Sequence, residues 1–260
     1  MSAMRTALLA AALSASTLLA HAGRPCEAKP LQVQAITQGM ALAQCTAEAL
    51  DRSGAQVLVL ARAGQDLSRY GLRYSHLGFV YRDAQGWRVL HKLNQCGTAE
   101  GALYRQGLGE FFMDNPFRYE ATVVALQPAL QARLLPLLRS NERAAQLNER
   151  RYNMLAYPWS TTYQQSNQWA IETLAMAAAP NGAPTRLAAQ AWLQQQGYQP
   201  TTLHLGPLTR LGARATAANI AFDDHPDALR FSDRINTVTV DSVLDWLART
   251  QLGAPAITVY

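Results

Sequence analysis

The stretch that most constrains the fold is RYSHLGFVYRDAQGWRVLHKLN, residues 73–94. Two β-prone runs, 73–82 and 87–94, flank the short turn Asp83-Ala84-Gln85-Gly86. Such runs on either side of a short glycine-containing turn predict a β-hairpin. Setting Arg82 opposite Trp87 fixes the register, so that His76 faces Leu93 and His91 faces Gly78. The two histidines are then diagonal neighbours on one face, roughly 7–8 Å apart at Cα and within side-chain reach. A slip of one residue would send them to opposite faces. Gly78 leaves room above the sheet at His91.

The elements around the hairpin set the class. Val33, Ile36, Met40, Ala43, Ala47 and Leu50 form a helical stripe over residues 31–52. QVLVLAR (56–62) and RYEATVVAL (118–126) read as strands. Helices are expected from Pro128 onward, from Ser160 or Thr161 to Ala179, and over 185–197, closed by Gly197. NTVTV reads as a late strand, and Asp241 as the cap of a final helix, SVLDWLART. Strands gather early and helices late, which predicts an α+β fold with an antiparallel sheet packed with helices. No linker or low-complexity tract cuts residues 23–260, so one domain is expected, and 49% hydrophobic residues supply its core.

The first 22 residues read as a secretory signal peptide: Arg5, an apolar run from Ala7 to Leu19, then Ala20-His21-Ala22 as a small-x-small cleavage site. That run is too short to span a bilayer comfortably, so the mature chain is expected to be exported without a transmembrane segment. The net charge of +5 falls by one with Arg5, and the basic residues are scattered, which argues against nucleic acid as a partner. Three cysteines in an exported chain predict one disulfide and one leftover thiol. Cys45 lies off the helical stripe, whereas Cys26 and Cys96 sit in loop-like sequence. Cys26–Cys96 is the favoured pair, with the other pairings open.

Chemistry centres on four histidines: His76, His91, His204 and His225. A histidine base needs a second group to hold its tautomer and steady the imidazolium, and His91 can serve His76 in that way. Ser166, in YQQSNQWAIE, stands where a helix begins. It is either an N-cap or a nucleophile set among helix N-terminal N–H groups and the helix dipole. FDDHPD (222–227) carries the ligand types Asp223, Asp224 and His225, but adjacent residues seldom converge on one ion and the sequence is ordinary for a turn. No metal or cofactor is therefore expected. His204 has no evident partner. YNMLAYPW (152–159) would either line an apolar groove or pack its rings into the core.

YSHLGFVYRDAQGWRVLHKLNQCGTAE, YNMLAYPWSTTYQQSNQW and LGPLTRLGARATAANIAFDDHP together resemble the bacterial domain-of-unknown-function 2145 family over nearly all of residues 23–260. More distantly, the order of strand histidine, polar residue on the next strand and nucleophile on a later helix resembles circularly permuted papain-like proteins. These include cell-wall peptidases of the NlpC type and lecithin–retinol acyltransferase relatives. That resemblance implies His76 as general base, His91 as orienter and Ser166 in the nucleophile position. It further implies Tyr163 or Gln164 at an oxyanion hole, with Trp169 beside them at the cleft. The superfamily uses cysteine where this chain has serine. A thiolate forms readily beside an imidazolium, whereas a serine hydroxyl must lose its proton as it attacks. Two functions follow as expectations. One is a periplasmic hydrolase or acyl/amide transferase. The other is a noncatalytic cleft for an envelope component, such as a peptidoglycan peptide, a lipid or a protein partner.

Overall fold

The computed structural model describes residues 30–260; the expected leader (1–22) and Cys26 lie outside the described residues. Helix α1 (Val33–Ser53) ends at Gly54, whose φ of 65° suits glycine. Its buried face carries Gly39, Leu42, Ala43, Thr46, Ala49 and Leu50. The expected stripe is thus rotated, and Val33, Ile36 and Met40 are exposed. The helix makes a close approach at Gly39, where a Cβ would come 3.2 Å from the Phe112 carbonyl oxygen.

Strands β1 (Val57–Arg62), β2 (His76–Asp83), β3 (Gly86–Asn94) and β4 (Gly101–Gly107) follow, then helix α2 (Leu108–Phe112) and β5 (Ala121–Ala125). Helices α3 (Pro128–Arg139), α4 (Asn141–Ala145), α5 (Ser166–Ala178) and α6 (Arg186–Gln195) come next. The chain continues through β6 (Thr201–His204), α7 (Pro207–Thr216), α8 (Asp227–Arg230), β7 (Arg234–Thr237), α9 (Val240–Arg249) and β8 (Ile257–Val259). The main sheet has the order β4-β3-β2-β1-β5-β8, and each neighbouring pair is antiparallel. The hairpin takes the register read from its turn, with Arg82 opposite Trp87 and Phe79 opposite Leu90.

Alternation sorts the sheet into two faces. Leu58, Leu60, Val80, Val89 and Val123 pack with α1 and with Phe111 and Phe112 of α2. Val57, Val59, Leu77, Phe79, Leu90 and Val124 pack with the buried residues of α3, α5 and α9. Helices cover both faces, which is why every residue of β1 is buried. The fold is α+β.

β6 and β7 form a separate two-stranded sheet. Leu203, Leu205, Phe222 and Ile235 make its small core, with Tyr70, Leu72, Leu155 and Ile220 packed against it. The expected strand NTVTV is cut short at Thr237. Thr239, not Asp241, caps α9, because its extended backbone lets the hydroxyl accept from Ser242 N in a capping box. Asp241 instead accepts the amides of Arg73 (3.2 Å) and Tyr74 (3.5 Å).

Candidate functional site

A polar row crosses four neighbouring strands on the face covered by α2. Arg62 of β1 stands opposite His76 of β2. His76 Nε2 lies 2.7 Å from His91 Nδ1 on β3, and His91 Nε2 lies 2.7 Å from Gln106 Oε1 on β4. The hairpin register produces the first contact as a diagonal pair. Gly78 permits it, since a Cβ there would sit 2.8 Å from His91 Cβ. Phe111 roofs the row, its ring centroid 5.2 Å from that of His91 and 6.0 Å from that of His76. The Arg62 guanidinium lies 4.6 Å from the same ring and pairs with Asp114 at 2.7 Å. His91 is wholly buried. Burial first, then the neighbouring Arg62 charge, pushes its pKa down to about 4, so the ring is neutral near pH 7.

Ser166 is the first residue of α5, and Gln165 is its cap, accepting from Asn167 N through its side chain. The N-cap reading of Ser166 is thereby replaced. Gln165 has the extended backbone of a cap, whereas Ser166 is already helical. Ser166 Oγ lies 3.2 Å from the Tyr152 hydroxyl, and burial raises the pKa of that phenol, keeping it neutral. Asn167 ties the helix to the histidine strand by accepting from Leu77 N at 3.2 Å. Leu77 belongs to the α5 face of the sheet, so His76 starts on the opposite face. Ser166 and His76 nevertheless both line one cleft of about 700 Å³.

Three other expected site residues stand apart from that cleft's lining. Gln164 is fully buried. It accepts from Lys92 Nζ (2.8 Å) and Glu149 N (3.0 Å) and donates to Leu147 O (2.8 Å) and Glu172 (2.5 Å). Its amide is fully engaged and unavailable to an oxyanion. Trp169 lies in the core against Phe79, at 5.7 Å between ring centroids, and donates to Ala144 O at 3.3 Å. One helical turn past Ser166, its indole points into the α5 packing face. Tyr163 is half-buried and donates to Asp223 at 3.2 Å.

The cleft is lined by polar side chains, among them His76, Ser166, Asn167 and Thr239, and by an apolar wall that includes Leu72, Leu155, Leu203 and Ile220. Of YNMLAYPW, Tyr152, Met154 and Leu155 line it, while Trp159 packs on Tyr198 at 6.0 Å. His204 does have a partner, Asp233, at 3.3 Å. His225 is buried between Asp224 and Asn236 O, at 3.0 Å from each, while Asp224 also accepts Tyr157 N at 2.7 Å. These contacts hold a turn. Among the described residues, no three His, Cys, Asp or Glu side chains gather in a group able to hold a metal. Cys45 is a free, half-buried thiol, and Cys96 lies at the cleft. Cys26 is outside the described residues, so the Cys26–Cys96 bridge stays an expectation.

Sequence reasoning missed Gln106, Arg62 and Gln165. Gln106 carried no signal, because β4 was not recognisable as a strand. Gln165 could have been found from its place just before the buried helical run.

Comparison with known proteins gives a family and little else. A family model described as "Uncharacterized protein conserved in bacteria (DUF2145)" matches residues 49–247. No curated protein matches the chain. Among solved structures, the crystal structure of metalloprotein yiiX from Escherichia coli O157:H7 (DUF1105) is similar at 11% identity. The match covers 79% of this chain and 96% of that one, with a TM-score of 0.42. Likeness at that level transfers neither ligand nor mechanism. No helix among the described residues is long and apolar enough to cross a membrane.

Proposed function

This chain belongs to the bacterial DUF2145 family, and we propose that it is an exported cell-envelope protein performing acyl or amide transfer or hydrolysis in its cleft. In this reading His76 is the base and Ser166 the nucleophile. The observation that carries it is the contact of His76 Nε2 with His91 Nδ1 at 2.7 Å, made beside a cleft that Ser166 also lines. A base held by a second ring can accept the Ser166 proton as the hydroxyl attacks a carbonyl carbon, then return it to the leaving group. The order of His76, His91 and Ser166 along β2, β3 and α5 supports a circularly permuted papain-like fold for the site. Residues 1–22 serve as the leader to a periplasm, and Cys26–Cys96 is the disulfide formed there. The apolar wall suits a lipid acyl chain or an apolar peptide side chain of an envelope component.

A second reading keeps the cleft as a noncatalytic binding site for such a component. It is favoured by one observation: Ser166 Oγ is engaged with the Tyr152 hydroxyl at 3.2 Å, on a helix that packs on the sheet face opposite the histidines. Labelling of the purified protein with a serine-reactive fluorophosphonate separates the two. Catalysis predicts labelling that Ser166→Ala and His76→Ala each abolish. Absence of labelling, together with no accelerated thiol reactivity in Ser166→Cys, leaves the binding reading.

A further inference from the structure

The histidine pair does not end at His91. His91 Nε2 meets Gln106 Oε1 at 2.7 Å, and Gln106 Nε2 meets Glu110 Oε1 at 3.1 Å. Glu110 is on the surface, in the first turn of α2. The chain of contacts thus runs from solvent to the cleft: Glu110, Gln106, His91, His76.

Each contact has one donor and one acceptor, so one fixed end orients all of them. An ionised carboxylate only accepts, so Glu110 turns the Gln106 NH2 toward itself and the Gln106 carbonyl toward His91. His91 Nε2 must then carry a proton. The ring is neutral near pH 7, so its Nδ1 holds a lone pair. That lone pair can only accept, so the His76 Nε2 facing it must be the donor. In neutral His76 the remaining nitrogen, Nδ1, is then the basic one. We propose that Glu110 and Gln106 are positioning residues that set the tautomers of both histidines, making Nδ1 the basic nitrogen of His76.

The register itself needs no substrate; only its catalytic consequence rests on the reading of His76 as a base. Reversing the terminal group reverses the direction of every bond. A lysine ammonium only donates, so Glu110→Lys favours the Gln106 carbonyl turned outward and its NH2 turned toward His91 Nε2. His91 would then donate from Nδ1 to His76 Nε2, and the proton of His76 would move to Nδ1. Gln106→Glu added to Glu110→Lys restores the original direction, because a carboxylate beside His91 again only accepts. The exposed position of Glu110 keeps the first change outside the core.

The experiment is ¹⁵N NMR of the histidine rings at pH 8, where protonated and lone-pair nitrogens have widely separated shifts. In the unsubstituted protein, His76 and His91 both show a protonated Nε2 and a lone-pair Nδ1. Glu110→Lys shifts the ratio of the two registers by roughly tenfold toward the reversed one, the scale of one exchanged hydrogen bond. The double variant returns both rings to the original pattern. The proposal is overturned if Glu110→Lys leaves both patterns unchanged, or if the double variant fails to restore them. Fluorophosphonate labelling and the thiol reactivity of Ser166→Cys report separately on catalysis: a reversed register in a protein that fails both would sink the catalytic reading and leave the tautomer control standing.

Discussion

Gly78 is the residue on which the histidine pair turns. A Cβ there would come 2.8 Å from His91 Cβ and 3.0 Å from Leu90 O, both on a central strand with no slack. Gly78→Ala therefore displaces His91 or bends β2, and overpacking of this kind costs about 1–3 kcal/mol. A urea titration should give a lower midpoint at unchanged slope, and the ring resonances of His76 and His91 should report a broken contact. An unchanged midpoint would mean the sheet absorbs the methyl group. The opposition of Gly78 and His91 is legible from the turn alone, because setting Arg82 opposite Trp87 fixes which residues face each other, and the structure extends that register to Asp83 opposite Gly86. Gln106 is not legible in the same way. ALYRQG, on an edge strand with exposed Tyr104 and Arg105, lacks the alternation that marks a half-buried strand.

At the scale of the element, α5 shows what periodicity can and cannot say. Every residue from Ser166 to Ala178 is buried, so the helix has no polar stripe and its pattern gives no starting point. Residues 160–165, read as its first turn, form irregular backbone instead. The true start is set by the Gln165 cap and by Asn167 reaching Leu77 N. Burial also encloses a charge that no pattern announces. Glu172 accepts from Arg186 at 2.8 and 3.1 Å and from Gln190 at 2.7 Å. Arg186→Leu would leave that carboxylate without its cation, a change worth about 3–5 kcal/mol for a buried pair. Removing both partners, with Glu172→Leu added, should recover most of the loss, because the penalty belongs to the unpaired charge. Chemical denaturation of the two variants decides this. Equal destabilisation by single and double changes would mean the carboxylate is held chiefly by Gln164 and Gln190.

For the whole molecule, the two-faced sheet follows from alternating strands, but the order β4-β3-β2-β1-β5-β8 does not. Only the β2–β3 neighbourhood is carried by local turn chemistry; β5 and β8 join through contacts distant in sequence. One consequence of covering both faces is that Lys92 and His91, which point to opposite faces of β3, are both buried. Lys92 is fully enclosed, donating to Gln164 at 2.8 Å and to Glu149 O. Burial first, then Arg186, pulls its pKa from 10.5 down to about 7. His91 is drawn from 6.5 down to about 4. A depressed pKa means that the unfolded chain binds the proton more readily than the native one, so stability rises with pH across each interval. The His91 contribution is complete above about pH 6.5 and is lost as pH falls to about 4. The Lys92 contribution is complete only near pH 10.5 and is lost as pH falls to about 7. One proton's difference gives a slope of up to about 1.4 kcal/mol per pH unit. Denaturation curves from pH 7 to 10 should therefore show unfolding free energy increasing with pH, and Lys92→Met should flatten that slope while leaving the rise between pH 4 and 6.5. A slope that persists in Lys92→Met would assign the upper transition to another group and leave Lys92 charged inside the fold.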